Sequence, residues 1–212
     1  MTDHSTAAGS ARGERGAFDE IFAGAPLMAI LRGMGVERSL ALARTAWDLG
    51  IEAVEVPLQS ATDVEALAAV VAAGRERGKK VGAGTILDRA GVRTAADAGA
   101  AFTVSPGLDL EVVEASEAAG MPSLPGVATA SEVQRASVAG LRWLKAFPAS
   151  ALGTEWFTAM RGPFPDVHFV ATGGLSAANA SRFLDAGVRV VAVGSALGDP
   201  EELARLAEVF DR

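Results

Sequence analysis

The sequence predicts an α/β protein built as a single-domain (β/α)8 TIM barrel. Three observations carry this prediction. From residue 17 onward, short apolar runs alternate eight times with amphipathic helical segments. The runs are almost continuously apolar, which is typical of parallel strands that are covered on both faces. The chain has 212 residues and 50% of them are hydrophobic, which suits one domain with a large core.

The eight strands follow one another at regular intervals. In chain order, the predicted strands span residues 26–32, 53–59, 80–85, 102–106, 122–126, 143–147, 168–172 and 190–194. Helix-start signals lie between them: Thr129 and Glu132 form a candidate capping box, and Asp199 is a candidate cap before Pro200. Right-handed crossovers would close eight such units into a barrel. An open doubly wound sheet is the alternative, but no GxGxxG motif follows the first strand.

Composition narrows the classes of partner. Residues 1–16 are small and polar, without the apolar block of a signal peptide, so we expect a flexible tail and a barrel domain over 17–212 in a cytoplasmic protein. The formal charge of −7 disfavours nucleic acid and anionic membranes as partners. No apolar run reaches membrane-spanning length. The chain has no cysteine and only His4 and His168, so the sequence indicates no metal site.

One lysine lies in the middle of an apolar strand. Residues 141–150 read LRWLKAFPAS, and Lys145 stands at the centre of this run. Lysine is seldom buried unless it is paired or used. Apolar surroundings disfavour the ammonium cation, and a neutral amine can attack a carbonyl carbon to form a Schiff base. The alternative is an exposed lysine on an edge strand.

A carboxylate occupies the same kind of position in the second strand. Glu55 stands among apolar residues in AVEVPLQS, and strand alternation places Glu55 and Gln59 on one face. A carboxylate inside a barrel requires a partner, and Lys145 is one candidate. Such a pair would supply a general acid/base beside a nucleophile. The alternative is a surface carboxylate on a sheet edge.

The other strand ends predict an anion-binding site. Barrel active sites lie at the carboxyl ends of the strands, and phosphate commonly binds after strands seven and eight. Those two strands end in Gly173-Gly174 and Gly194-Ser195, where backbone N–H groups and helix N-termini can approach an anion. For these glycines, ordinary tight turns are the alternative.

Arg32 at the end of strand one could bind a carboxylate or phosphate, or it could pair with a nearby acid such as Glu37. Thr85 could bind a carboxylate or cap a helix.

Taken together, the motifs resemble a known family. LMAILRG, AVEVPLQS, VGAGTIL, VSPG, LPGVATASE, LKAFPAS, ATGGLS and VGS occur in the order found in class I aldolases of 2-keto-3-deoxy-6-phosphosugar acids, over about residues 20–197. This family includes the KDPG, KDPGal and 4-hydroxy-2-oxoglutarate aldolases. The resemblance implies that Lys145 forms the Schiff base and that Glu55 is the acid/base. It further implies substrate-binding roles for Arg32, Gln59, Thr85, Pro106, Phe147, Gly173, Gly174, Gly194 and Ser195.

One departure from the gluconate-type pattern LEVTLRT guides the substrate prediction. Gln59 stands where that pattern has arginine, and the remaining motifs resemble the galactonate branch. The resemblance therefore implies cleavage of 2-dehydro-3-deoxy-6-phosphogalactonate to pyruvate and glyceraldehyde 3-phosphate, without metal or organic cofactor, by a homotrimer. The gluconate epimer or 4-hydroxy-2-oxoglutarate is the nearer alternative. Another phosphosugar barrel enzyme, such as an epimerase or isomerase, and a non-catalytic binding barrel are the more distant ones.

Overall fold

Strands and helices alternate along residues 14–209, the part of the chain that this computed structural model describes. The strands are β1 (Leu27–Ile30), β2 (Ala53–Pro57), β3 (Lys80–Gly84), β4 (Phe102–Val104), β5 (Ser123–Leu124), β6 (Gly126–Val127), β7 (Trp143–Ala146), β8 (His168–Thr172) and β9 (Val190–Val193). The helices are α1 (Glu14–Phe22), α2 (Gly35–Asp48), α3 (Ala61–Glu76), α4 (Arg89–Asp97), α5 (Leu110–Ala118), α6 (Ala130–Val138), α7 (Ala149–Arg161), α8 (Ala177–Asp185) and α9 (Pro200–Ala207).

The strands form one parallel sheet that curls into a barrel. Its order is β5-β4-β3-β2-β1-β9-β8-β7-β6, and neighbouring strands in this order run parallel. The two ends of this order, β5 and β6, are consecutive in the chain and are separated only by Pro125. The barrel prediction is therefore confirmed over the open-sheet alternative.

The fifth predicted strand differs from expectation, because it is divided into two short strands. Ser123–Leu124 pairs with β4, whereas Gly126–Val127 pairs with β7. Pro125 has no N–H to donate to a ladder, so the strand can change partners there. A side chain on Gly126 would collide with the backbone carbonyl of Pro106, so glycine is required where the sheet closes.

Strand alternation divides the core into two layers. In β7, Leu144 and Ala146 pack outward against the helices, whereas Trp143 belongs to the cluster inside the barrel. In β2, Val54 and Val56 likewise face outward. The residues between them, Glu55 and Lys145, must therefore project into the barrel interior, as successive side chains of a strand point to opposite faces.

Helix α1 covers the amino-terminal end of the barrel. The Phe22 ring lies 5.0 Å from that of Trp143, and the Phe18 ring lies 5.8 Å from that of Phe102. This helix begins at Glu14, inside the predicted tail of residues 1–16, because its apolar face covers barrel side chains. The rest of the predicted tail, residues 1–13, lies outside the described residues. At the same end His168 stacks edgewise on Trp143, and burial, then the nearby Arg189 charge, lowers the pKa of His168.

The predicted helix starts are present. Thr129 and Glu132 form the capping box of α6, and the Asp199 side chain accepts from the Glu201 N–H at the start of α9. These caps satisfy backbone N–H groups that lack a partner within the first turn. Within residues 14–209, no helix combines the length and apolar character needed to cross a bilayer.

Candidate active site

A cavity of about 650 Å³ opens at the carboxyl ends of the strands, the end opposite α1. Its size falls in the range of small-molecule sites. Most of its lining comes from the residues that follow or end β1, β3, β4, β7, β8 and β9. The lining residues are Ile30, Arg32, Met34, Thr85, Pro106, Lys145, Phe147, Thr172, Gly173, Gly174, Leu175, Ala192 and Gly194.

Lys145 lies at this cavity and is almost wholly buried, with 3% of its surface exposed. Its Nζ atom lies 5.3 Å from the centroid of the Phe147 ring, within cation–π distance. Among the described residues, no carboxylate forms an ion pair with Nζ. The structure therefore rejects the exposed edge-strand alternative and leaves the amine facing the cavity.

Glu55 is completely buried in the barrel interior. Neither carboxylate oxygen has a hydrogen-bond partner among the described residues, and no direct ion pair joins it to Lys145. The side chain occupies the space over Gly84 of the neighbouring strand, where a Cβ atom would overlap the carboxylate. Glycine at 84 is therefore what makes room for a carboxylate inside the barrel. The surface-carboxylate alternative is excluded.

Three polar side chains meet at the adjacent ends of β1, β2 and β3. Arg32 Nη1 donates to Gln59 Oε1 at 2.8 Å and lies 3.5 Å from Thr85 Oγ1. Thr85 has a φ of +59°, a left-handed conformation that is costly for a β-branched residue. The alternative pairing of Arg32 with Glu37 is absent from the described ion pairs. The cluster thus leaves a cationic group at the cavity wall.

The two glycine turns follow β8 and β9, and β9 pairs with β1, which precedes Arg32. Gly173 and Gly174 have φ values of +99° and +73°, which glycine adopts without the steric cost of a side chain. A Cβ at Gly173 would meet the Phe147 ring at 3.2 Å, so this turn packs directly against the residue after the lysine strand. Gly194 also lines the cavity. Ser195 begins a 3-10 turn, Ser195–Gly198, and its side chain lies outside the described part.

The predicted residues take three positions relative to the cavity. Arg32, Thr85, Pro106, Phe147 and the glycines line it together with Lys145. Gln59 is exposed and reaches the site through Arg32. Glu55 lies in the barrel interior, outside the cavity lining.

Sequence reasoning missed two lining residues with useful chemistry. Thr172 ends β8, its hydroxyl is buried, and no group in the described chain bonds to it. The same two-residue alternation that places Val170 inside the barrel also predicts Thr172 there, so the signal was present. Met34 follows β1 in an irregular turn, and no local pattern identifies it. In residues 14–209, no three His, Asp or Glu side chains cluster as metal ligands would.

A closed parallel barrel whose carboxyl end carries a buried lysine at a small-molecule cavity defines a barrel enzyme, and the comparisons give its class as an aldolase. Residues 18–210 match the family described as KDPG and KHG aldolase. The chain belongs to this family.

Aldolases named for the galactonate substrate and aldolases named for the gluconate substrate both resemble the chain. A probable 2-dehydro-3-deoxy-6-phosphogalactonate aldolase of Rhizobium meliloti is 36% identical, over 82% of this chain and 82% of that protein. A solved structure described as native KDPGal superposes with a TM-score of 0.80 at 32% identity, covering 88% of this chain and 94% of that one. A KDPG aldolase from Legionella pneumophila, solved with pyruvate as a covalent carbinolamine intermediate, gives a TM-score of 0.77 at 29% identity, covering 89% and 94%.

Replacing the buried carboxylate is expected to stabilise the fold and impair the enzyme. Glu55→Met removes two buried oxygens that have no partner in the described part of the chain, at similar volume, so the free energy of unfolding should rise by about 1–3 kcal/mol. Turnover should fall by about 10²-fold or more if Glu55 transfers protons. Urea denaturation and a pyruvate-release assay measure the two effects.

The matched control is Glu65→Met, which removes an exposed carboxylate from α3. Its free energy of unfolding should stay within about 0.5 kcal/mol of wild type. A loss of stability in Glu55→Met would show that the carboxylate stabilises the folded protein.

Proposed function

We propose that the protein cleaves 2-dehydro-3-deoxy-6-phosphogalactonate to pyruvate and D-glyceraldehyde 3-phosphate through a Schiff base on Lys145. The observation that carries this proposal is a buried lysine at the cavity whose amine has no acid partner among the described residues. An unpaired amine in a largely apolar site is suited to attack a carbonyl carbon. The captured carbinolamine in the Legionella relative supports the same chemistry here.

The reaction begins at the substrate ketone. The neutral Lys145 amine adds to C2 to give a carbinolamine, and loss of water leaves an iminium. Glu55, through a bridging water, takes the proton of the C4 hydroxyl, and the C3–C4 bond breaks. The bonding electrons move to the iminium, which becomes an enamine, and the aldehyde leaves. Protonation of the enamine at C3 and hydrolysis of the new iminium release pyruvate and restore the amine.

Two groups of residues at the cavity suit the two ends of the substrate. Arg32 and Thr85 would hold the carboxylate beside the ketone, because the arginine fork matches a carboxylate and the threonine hydroxyl can donate to it. The Gly173, Gly174 and Gly194 backbone, with Ser195, would hold the phosphate. The iminium polarises the substrate, so the proposed route uses neither a metal nor an organic cofactor.

The galactonate epimer is proposed as the substrate because Gln59 replaces the arginine of the gluconate pattern, and because Arg32 occupies the site beside it. The Rhizobium relative supports this assignment. The gluconate epimer is the second candidate, and the Legionella relative favours it. A single hydroxyl configuration separates the two substrates, so few contacts decide between them.

Reductive trapping should label Lys145. Incubation with pyruvate and borohydride reduces the iminium to a stable secondary amine, and mass spectrometry of tryptic peptides locates it. We expect the adduct on the peptide containing Lys145, and none in Lys145→Met, which also loses turnover. Lys80→Met, at an exposed lysine, should trap pyruvate as wild type does. Wild-type protein that remains unmodified at saturating pyruvate would contradict a Schiff-base mechanism and favour an epimerase, an isomerase or a binding barrel.

Side-by-side cleavage assays test the substrate assignment. We expect a kcat/KM for the galactonate epimer at least about tenfold above that for the gluconate epimer, equivalent to about 1.4 kcal/mol of transition-state binding. Pyruvate release coupled to lactate dehydrogenase measures both rates. A preference for the gluconate epimer or for 4-hydroxy-2-oxoglutarate would reassign the substrate and leave the Schiff-base mechanism in place.

We further propose that the protein is a cytoplasmic homotrimer. The family resemblance supports the trimer. Light scattering after size-exclusion chromatography should give three times the chain mass of 21.6 kDa. A mass of one chain across the working concentration range would contradict the trimer.

A further inference from the structure

The end of β2 carries an amide whose oxygen faces a cation. Arg32 Nη1 donates to Gln59 Oε1 at 2.8 Å, which is the shorter of the two hydrogen bonds that Arg32 makes. Gln59 is absent from the cavity lining, whereas Arg32 and Thr85 belong to it. The Gln59 amide therefore lies behind Arg32: it bonds to this cavity-lining residue but does not line the cavity itself.

We propose that Gln59 is a positioning residue: it turns the Arg32 guanidinium so that its free edge, with the Thr85 hydroxyl, receives the substrate carboxylate. This inference rests on the proposed function, since it needs a keto acid in the cavity. It replaces the prediction that Gln59 itself binds substrate.

The donor arrangement of arginine explains how this works. Arginine has five N–H donors, and the two on Nη1 face the two protein acceptors, Gln59 and Thr85. No further hydrogen bond of Arg32 is found in the part of the chain that the structure covers. The donors on Nε and Nη2 therefore remain for a bidentate grip on a carboxylate. Because Thr85 accepts from Arg32, its own hydroxyl hydrogen stays free to donate to the same anion.

The neutral charge of Gln59 matters as much as its position. A glutamate at 59 would accept the same hydrogen bond, but its charge would cancel that of Arg32 and repel an anionic substrate. Among the ion pairs of the described residues, none includes Arg32. In a chain of net charge −7, the cation is thus kept available for the substrate.

Gln59 is in turn anchored to the start of α3. The Asp63 carboxylate accepts from the Gln59 backbone N–H at 3.1 Å and from the Ser60 hydroxyl at 2.8 Å. Asp63 is buried, with 6% exposed, so this anchor belongs to the packed core. A continuous set of hydrogen bonds therefore runs from α3 through Gln59 and Arg32 to Thr85.

The experiment measures how reductive trapping of Lys145 depends on pyruvate concentration. In Gln59→Met, which keeps the length but removes the acceptor, the half-saturating pyruvate concentration should rise severalfold. In Gln59→Glu it should rise by about tenfold or more, because a charge is also cancelled. The trapping rate at saturating pyruvate should stay within about threefold of wild type in both, since Lys145 is untouched.

Gln134→Glu is the matched control, because it makes the same chemical change at an exposed site on α6. It should leave the half-saturating concentration unchanged. The proposal is overturned if both Gln59 variants bind pyruvate as wild type does, or if they lower only the saturating rate. Calorimetric titration with pyruvate makes the same comparison without the covalent readout. Failure of wild type to trap pyruvate, with calorimetric weakening in the variants, would instead contradict the Schiff-base proposal alone.

Discussion

A lysine held inside the barrel with no acid partner among residues 14–209 is the constraint on which the other features of the site depend. Lys145 is oriented inward because its strand neighbours Leu144 and Ala146 face the helices. Below it, Trp143 and the aromatic side chains of α1 close the amino-terminal end, and above it the cavity opens. The Phe147 ring lies 5.3 Å from Nζ and does not hold the amine as a cation in an ion pair, as a carboxylate would. The barrel thus surrounds the amine with apolar side chains and leaves it accessible from the cavity at the carboxyl end.

Two other residues of the site are held in energetically unfavourable arrangements. The Glu55 carboxylate is buried with no donor from the described residues, and Thr85 lies in the left-handed region. Each arrangement is unfavourable by itself, and such features concentrate at sites where function requires them. Glycines make them possible: Gly84 leaves space for the Glu55 carboxylate, and Gly173 leaves space for the Phe147 ring. The large apolar core offsets these costs.

The charge at the cavity wall is opposite in sign to the net charge of the chain. The chain carries a net charge of −7, yet the cavity wall bears the Arg32 guanidinium, which forms no ion pair with a carboxylate within the described residues. The acceptors around Arg32 are an amide and a hydroxyl, which orient a cation without cancelling its charge. An acidic protein can therefore offer a positive site to a small anion.

Local patterns in the chain determined the eight βα units and the helix caps at Thr129 and Asp199, because these depend on hydrophobic periodicity and on the residues at the start of each helix. Strand alternation placed Glu55 on one face with Gln59 and contained the signal for Thr172, but the burial of Glu55 and Lys145 inside the barrel came from the tertiary structure. Only the tertiary structure decided where the sheet closes, that α1 caps the barrel, and that Arg32 bonds to Gln59 and Thr85 instead of Glu37. Those outcomes depend on contacts between residues far apart in the chain, which no local pattern encodes.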